Sequence, residues 1–68
     1  MAKTTQHEAV TLIKTVAQQL VAEGRRGNLD DVSREFNERF GIPPGREWMT
    51  NTLYQLGYTV EGDSFWLP

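Results

Sequence analysis

Residue types that support catalysis are few in this chain and lie far apart in its sequence. The one histidine, His7, is close to the N-terminus, where a side chain has no rigid geometry for acid–base chemistry. Neither Ser33 nor Ser64 has a histidine beside it, as a nucleophilic serine requires. One histidine, no cysteine and scattered carboxylates do not supply the convergent ligands of a metal site. We therefore expect no enzyme, no metal ion and no cofactor.

The adjacent arginines Arg25 and Arg26 are the first candidates for binding. They lie in Gly24-Arg25-Arg26-Gly27, which has neither the spacing nor the preceding strand of a phosphate-binding loop. Two neighbouring guanidinium groups can still contact nucleic-acid phosphates, which positions the partner without specifying its sequence. The alternative is that both arginines are solvated at a helix C-terminus, where positive charge is favourable.

The outward side of a predicted third helix is the second candidate. It would carry Arg46, Thr50, Asn51 and Tyr54. In the major groove Arg46 would contact guanine and Asn51 adenine, while Thr50 and Tyr54 would touch phosphate or a thymine methyl group. Glu47 lies on the same side and would repel phosphate, so the alternative is an ordinary solvated helix face.

Length and composition limit the fold to one small domain. The 68 residues include seven Lys and Arg against nine Asp and Glu, a formal charge of -2, whereas nucleic-acid binders usually have a basic face. The chain has no disulfide to stabilise it, and its apolar runs are far too short to cross a membrane. No signal peptide is evident. We expect a cytoplasmic protein with a single domain over residues 1–68, of which residues 1–5 are flexible.

Three segments have the three- and four-residue apolar spacing that predicts amphipathic helices. They cover about residues 5–23, 31–40 and 46–56, and Asn28 or Asp30 can cap the second. A glycine follows each segment at the position where a left-handed turn favours it. These glycines are Gly24, Gly41 and Gly57.

The last eleven residues change to the pattern of a β-hairpin. Residues 58–60 and 65–67 are rich in aromatic and β-branched side chains, and Gly62-Asp63 between them is a tight-turn signal. This turn pairs Val60 with Phe65. The predicted inward face of the hairpin is Tyr58, Val60, Phe65 and Leu67.

Trp66 and Thr59 share the opposite face of the predicted hairpin. If Trp66 is exposed there, it can insert into a partner or a dimer interface, because aromatic side chains are enriched at interface hot spots. The alternative is that the sheet curls and Trp66 covers the first helix or a third strand. For Trp48, a position in the core is favoured over a contact role.

A two-stranded hairpin is not stable alone in water, so its apolar face must pack on the helices. The helices offer Phe36, Phe40, Met49 and Leu53 as the partner surface. A short extended piece near Asn28-Leu29 would add a third strand at the hairpin edge. The alternative architecture is a plain three-helix bundle with an irregular tail.

Three helices followed by a hairpin is the order of a winged helix, and parts of the sequence resemble that superfamily. Residues 29–36 resemble the start and second helix of a winged helix-turn-helix, and residues 53–58 resemble the end of its third helix leading into the wing. The resemblance covers about residues 12–67. It implies an α+β winged helix, with a three-helix helix-turn-helix core followed by a C-terminal β-hairpin wing.

Within that superfamily the chain is similar to the LOTUS, or OST-HTH, group. The similarity is carried by the Phe-x-x-x-Phe-Gly ending of the second helix, here Phe36 to Gly41, and by the short wing. The compact third helix and the Pro43-Pro44 turn depart from that group. Helicases and guanine-rich RNA, which are LOTUS-type partners, are therefore not transferred to this chain.

The resemblance implies a small winged-helix protein that binds DNA with its third helix in the major groove, regulates transcription and acts as a dimer. Val10, Ala17 and Val21 widen the apolar stripe of the first helix. Either this helix forms the dimer seam, or it lies deep in a groove between the other elements.

The alternative function is a protein–protein interaction module, such as a small phage or plasmid accessory protein. Its contact surface would then consist of Trp66, Thr59 and the first helix. The slightly negative net charge of the chain would not oppose binding to a protein. RNA binding of the LOTUS kind is a third interpretation.

Overall fold

A computed structural model describes residues 4–68 of the chain, with side chains from His7 onward. Over this range the fold is α+β, with three helices and a small three-stranded antiparallel sheet, a layout compatible with a winged helix. The elements are α1 (Thr4–Gly24), β1 (Arg26–Asn28), α2 (Leu29–Phe40), α3 (Arg46–Gln55), β2 (Thr59–Glu61) and β3 (Ser64–Trp66).

Helix α1 lies against β1, α2 and α3, and this explains its wide apolar stripe. Ile13 and Ala17 are fully buried, and Val21 packs against the core from one side of the stripe. Val10 is half-buried. The centre of the stripe is therefore covered within one copy of the chain, whereas its edges are only partly covered, and the choice between a dimer seam and a buried helix stays a prediction.

The end of α1 differs from the prediction. Gly24 is the last helical residue, and the left-handed conformation falls on Arg25, with a φ of 70°. The backbone N–H of Arg25 donates to the carbonyl of Val21 at 2.7 Å, which closes the last turn. The chain then enters β1 at once, so the basic pair belongs to the helix–strand junction and not to a loop.

Helix α2 has a complete set of end signals. Asn28 is its N-cap, and its side-chain Oδ1 accepts a hydrogen bond from the Asp30 N–H at 2.7 Å. Because Asn28 and not Asp30 is the cap, the helix begins at Leu29, two residues earlier than predicted. At the other end Gly41 is left-handed, as predicted, and its N–H donates to the carbonyl of Asn37 at 2.8 Å.

The sheet confirms the predicted hairpin and its register. The strand order is β1-β3-β2, and Val60 pairs with Phe65 across the two-residue turn Gly62-Asp63. The third strand exists, but it begins at Arg26 and pairs with β3. The alternative of a bundle with an irregular tail was wrong, because the tail is paired on both sides of β3.

Gly27 and Phe65 are paired across β1 and β3 and pack closely on the inner face of the sheet. Phe65 is fully buried, and its ring lies directly over the backbone of Gly27, its partner in β1. A Cβ atom at position 27 would lie 2.1 Å from Cζ of Phe65. Tyr58 packs edge-on against the same ring at 5.5 Å between centroids. The inner row of the sheet is therefore filled by one aromatic ring that requires glycine opposite it.

Three details at Leu67, at Trp48 and at the end of the third helix correct or refine the prediction. Leu67 is 55% exposed and not part of the inner face, because β3 ends at Trp66 and Pro68 has no N–H to continue a ladder. Trp48 packs against the core, edge-on to Phe36 at 5.8 Å between ring centroids. The third helix ends at Gln55, one residue before the predicted end.

The prediction of flexibility for residues 1–5 concerns a segment whose first three residues lie outside the described range, and α1 begins at Thr4. Among the described residues, no helix combines the length and apolar character needed to cross a membrane.

Gly27→Ala is expected to destabilise the protein by about 1–3 kcal/mol or more, because the new methyl group overlaps the buried Phe65 ring. Gly24→Ala is the matched control. No atom lies within 4 Å of its added Cβ, and alanine is the better helix former, so its stability should be equal or slightly higher. Urea unfolding followed by circular dichroism measures both. Equal losses in the two variants would contradict the packing of Phe65 on Gly27.

Stability is expected to fall at alkaline pH because of Tyr58. Burial raises the pKa of the Tyr58 hydroxyl above its usual value of about 10. Below that value both folded and unfolded chains hold the proton and no stability is lost. Above it the unfolded chain releases the proton first, so the free energy of unfolding decreases as pH rises toward the folded pKa.

Urea unfolding of the wild type and Tyr58→Phe from about pH 8 to about pH 11 measures this effect. Tyr58→Phe should flatten the alkaline decrease, whereas Tyr54→Phe, at a half-exposed tyrosine, should retain it. Identical slopes in the wild type and Tyr58→Phe would contradict the assignment.

Candidate functional site

The start of α3 is tied to the hairpin turn by an ion pair. The guanidinium of Arg46 donates to Oδ1 of Asp63 and, at 3.2 Å, to the carbonyl of Gly62. The hydrogen bond and the charge of Asp63 raise the pKa of Arg46. Both side chains are exposed, so the pair is screened by solvent, but the charge of the one arginine in α3 is still balanced. Arg46 would have to leave Asp63 to contact guanine.

The same turn is held from the opposite side by α2. The backbone N–H of Leu29, the first residue of α2, donates to the carbonyl of Asp63 at 2.7 Å. Asp63 therefore accepts hydrogen bonds from two helix starts, through its backbone to α2 and through its side chain to α3. The turn is pinned against the helices at both ends.

The other residues predicted on the outward side of α3 have different environments. Tyr54 is half-exposed, and its hydroxyl donates to the Val60 carbonyl at 3.1 Å, which ties α3 to β2. Thr50 is half-buried. Asn51 is exposed, as is Glu47. Of the predicted base-reading groups, only Asn51 is both exposed and outside every hydrogen bond found among residues 7–68.

The outer face of the sheet brings together residues that the sequence placed in two separate candidate sites. Arg26 in β1 lies opposite Trp66 in β3, and Trp66 lies opposite Thr59 in β2. The Arg26 guanidinium carbon is 4.6 Å from the centroid of the Trp66 ring, a cation–π contact. Trp66 is half-buried, and Arg26 is exposed. Trp66 therefore contacts a third strand and remains partly exposed, and its role in binding a partner stays a prediction.

Arg25 directly precedes this row in the chain, at the junction between α1 and β1. It is exposed, and its left-handed backbone directly precedes β1. Among the described side chains, residues 7–68, the direct ion pairs are Arg34 with Asp31 and Arg46 with Asp63, so neither Arg25 nor Arg26 is in one. We call Arg25, Arg26, Thr59 and Trp66 the arginine–tryptophan face.

Two features of these sites were missed by sequence reasoning. The role of Asp63 was hidden, because a turn signal does not show which helix start the aspartate will face. The stack of Arg26 on Trp66 follows from β1 beginning at Arg26. Its signal was Gly27, which in a strand often marks the close approach of another group.

A groove of about 340 Å³ runs between α1 and the end of α2. Leu12 and Val16 form its apolar floor, and Arg39, whose guanidinium carbon lies 5.7 Å from the Phe40 ring centroid, is on its α2 side. His7 lies at its edge and is exposed. No group of three or more potential metal ligands was found among the described residues.

Comparison of the chain with protein-family models, with curated proteins and with solved structures gave no match. Its function is therefore inferred from its own residues.

Arg46→Gln is expected to loosen the hairpin turn without unfolding the protein. The carbonyl of Asp63 would be less firmly held, so the Leu29 amide that donates to it should exchange with solvent several-fold faster. Amide hydrogen exchange measured by NMR tests this. Arg34→Gln is the control, because it breaks the other exposed ion pair, within α2, and should leave the Leu29 amide unchanged. Equal exchange in the two variants would show that Arg46 does not hold the turn.

Proposed function

We propose that the chain is a winged-helix protein without enzymatic activity that binds nucleic acid through the arginine–tryptophan face. The element order α1-β1-α2-α3-β2-β3 supports the winged-helix assignment. So does the sheet, in which β1 from between the first two helices pairs with the second strand of the hairpin. The three helices and the C-terminal hairpin are the elements that the resemblance of residues 12–67 implied, and β1 was expected separately as a short extended piece near Asn28-Leu29.

The observation that supports this proposal most directly is the exposed Arg26 guanidinium over the half-buried Trp66 ring, with a second exposed arginine, Arg25, next to it in the chain. Arg25 and Arg26 are free to contact phosphates, since neither is engaged by a carboxylate of residues 7–68. Trp66 supplies an apolar, planar group next to those charges. Guanidinium groups and aromatic rings side by side are the combination that proteins use for phosphate contact together with base stacking.

The charge on the outward side of α3 is less favourable for binding nucleic acid than that of the arginine–tryptophan face. Arg46 is paired with Asp63, and Glu47 is exposed one residue further on. Major-groove reading by Arg46, Thr50, Asn51 and Tyr54 stays a prediction. It requires that Arg46 exchange Asp63 for a base, and that Glu47 approach the phosphates.

Binding is expected to be weak and strongly dependent on salt. The chain has a formal charge of -2, so the attraction comes from a local patch and not from the whole molecule. A patch of two arginines contacts only a few phosphates, and affinity falls with salt in proportion to that number.

The test is fluorescence anisotropy with labelled oligonucleotides, single-stranded and duplex, at low salt of about 20 mM. Arg25→Gln/Arg26→Gln should weaken binding by about tenfold or more. Lys14→Gln/Arg34→Gln is the matched control, because it removes the same charge from exposed positions on α1 and α2 and should retain most of the affinity.

A third variant, Arg46→Ala/Asn51→Ala, separates the two surfaces. Loss of binding in this variant but not in the Arg25/Arg26 variant would support groove reading by α3 and contradict the proposal. If the wild type binds no oligonucleotide at low salt, nucleic-acid binding is overturned.

Protein–protein interaction is a second candidate, favoured by an apolar corner between α2 and α3. Ile42 is 62% exposed, and the half-buried rings of Phe40 and Trp48 are its near neighbours in the chain. In this candidate Trp66 and Thr59 would be the second contact area. Ile42→Ser should weaken capture of a partner and Leu67→Ser should not, although both remove an exposed apolar side chain. A dimer through α1 stays a prediction that sedimentation equilibrium measures.

A further inference from the structure

We infer that the arginine–tryptophan face takes single-stranded nucleic acid, with a base stacked on the guanidinium of Arg26. This inference rests on the proposed function and specifies its ligand. The observation behind it is that, on the outer face of the sheet, the exposed Arg26 guanidinium lies over the half-buried Trp66 indole.

The Arg26 guanidinium is planar and has two faces. Its central carbon lies over the Trp66 ring, 4.6 Å from the ring centroid, and the side chain is exposed, so a second planar group can approach the guanidinium from the solvent side. Arginine planes and aromatic rings are both surfaces on which unstacked bases lie. The indole also fixes the arginine in position, so less side-chain freedom is lost when a base binds.

Phosphate contact would come from the adjacent residue. Arg25 is exposed, immediately precedes Arg26, and has the left-handed backbone that turns the chain from α1 into the sheet. A strand with its base on Arg26 therefore has a second cation within one residue for its backbone. No carboxylate pairs with either arginine among residues 7–68, whereas the remaining surface of the chain is net acidic.

Hydrogen-bonding groups surround the stack on the same face. Thr59 lies beyond Trp66 in the same row of the sheet, and the next row is Asn28, Ser64 and Glu61. The hydroxyl groups of Thr59 and Ser64 can contact base edges, the side-chain oxygen of Asn28 is already used by the cap of α2, and Glu61 limits the favourable region to the side near β1. Three strands of three residues make a platform of about 10 Å by about 10 Å, which has room for about two bases.

A duplex fits this surface less well. Its bases are stacked on one another and present no open face to a guanidinium, except at the ends. The hairpin turn, which would have to enter a groove, is pinned to α2 and α3 by Leu29 and Arg46, and it presents Asp63. A single strand can place an open base on the Arg26 guanidinium and its phosphates near the charges of Arg25 and Arg26.

The experiment compares a labelled fifteen-nucleotide oligo(dT), the same length of oligo(rU) and a blunt duplex of equal length, by anisotropy across a salt series. We expect the single strands to bind at least tenfold more tightly than the duplex. The logarithm of affinity against the logarithm of salt should have a slope of about -1.4, because Arg25 neutralises one phosphate by contact and the charge of the stacked Arg26 neutralises a second. Arg25→Gln should reduce that slope by about 0.7.

Variants of the stack give the second measurement. Arg26→Gln should weaken single-strand binding on the order of tenfold, and the exposed position leaves the fold intact. In a Trp48→Phe background, Trp66 is the one tryptophan, and its fluorescence should change on binding. Leu67→Ala, next to Trp66 and exposed, is the control and should bind as the wild type does.

Three outcomes are distinguishable. Equal affinity for the duplex and the single strands, with dependence on Arg25 and Arg26, would overturn this inference and keep the proposed function. Single-strand binding that is insensitive to Arg26→Gln would overturn the stacking arrangement. Absence of binding to every oligonucleotide at low salt would overturn both.

Discussion

The contact between the Phe65 ring and the backbone of Gly27 determines how β1, between the first two helices, joins the C-terminal hairpin. A fully buried phenylalanine needs a partner without a side chain, and glycine supplies it in the strand between the first two helices. Because this contact aligns β1 with β3, the neighbouring pair in the ladder is Arg26 with Trp66. The inner packing of the sheet therefore sets the composition of its outer face.

In the hairpin turn, the hydrogen bonds of Asp63 that hold the fold together also engage Arg46, a candidate for binding DNA. Asp63 accepts from the first amide of α2 and from the one arginine of α3, so it stabilises the approach of both helix starts to the sheet. The consequence is that α3 has no unbalanced positive charge at the end that a helix-turn-helix protein uses for DNA. Any contact of Arg46 with phosphate would compete with its pairing to Asp63, whereas Arg25 and Arg26 are in no ion pair among residues 7–68.

Much of the fold could be predicted from the sequence, for identifiable reasons. Apolar spacing fixed the three helices to within two residues, and the Gly62-Asp63 turn determined which residues of the hairpin are paired. The start of β1 was not predictable by pattern, since three residues with a glycine at the centre have no alternation of side chains. The exposure of Leu67 was also missed, because an apolar residue one position beyond a strand looks the same in the sequence as one within it.

The candidate site was harder to predict than the fold. Arg26 and Trp66 are forty residues apart in the chain, and their contact depends on a strand register that only the packed sheet defines. The ion pair of Arg46 depends in the same way on where the turn comes to lie. Arg25, Arg26 and Asn51 are exposed, whereas Thr50, Thr59 and Trp66 are half-buried, and the contacts of Arg26, Arg46 and Trp66 arise from long-range pairing.

The left-handed backbone of Arg25 has a further consequence for the balance between stability and binding. For an L-residue with a side chain, this conformation costs roughly 1–2 kcal/mol, a cost that glycine avoids. Glycine is the preceding residue, Gly24, yet it stands in the helix, where it is a poor choice. Exchanging the two residues would relax the backbone at the junction but carry the guanidinium back into the last turn of α1. The observed order of the two residues therefore places a cation next to the sheet at the cost of an unfavourable backbone conformation.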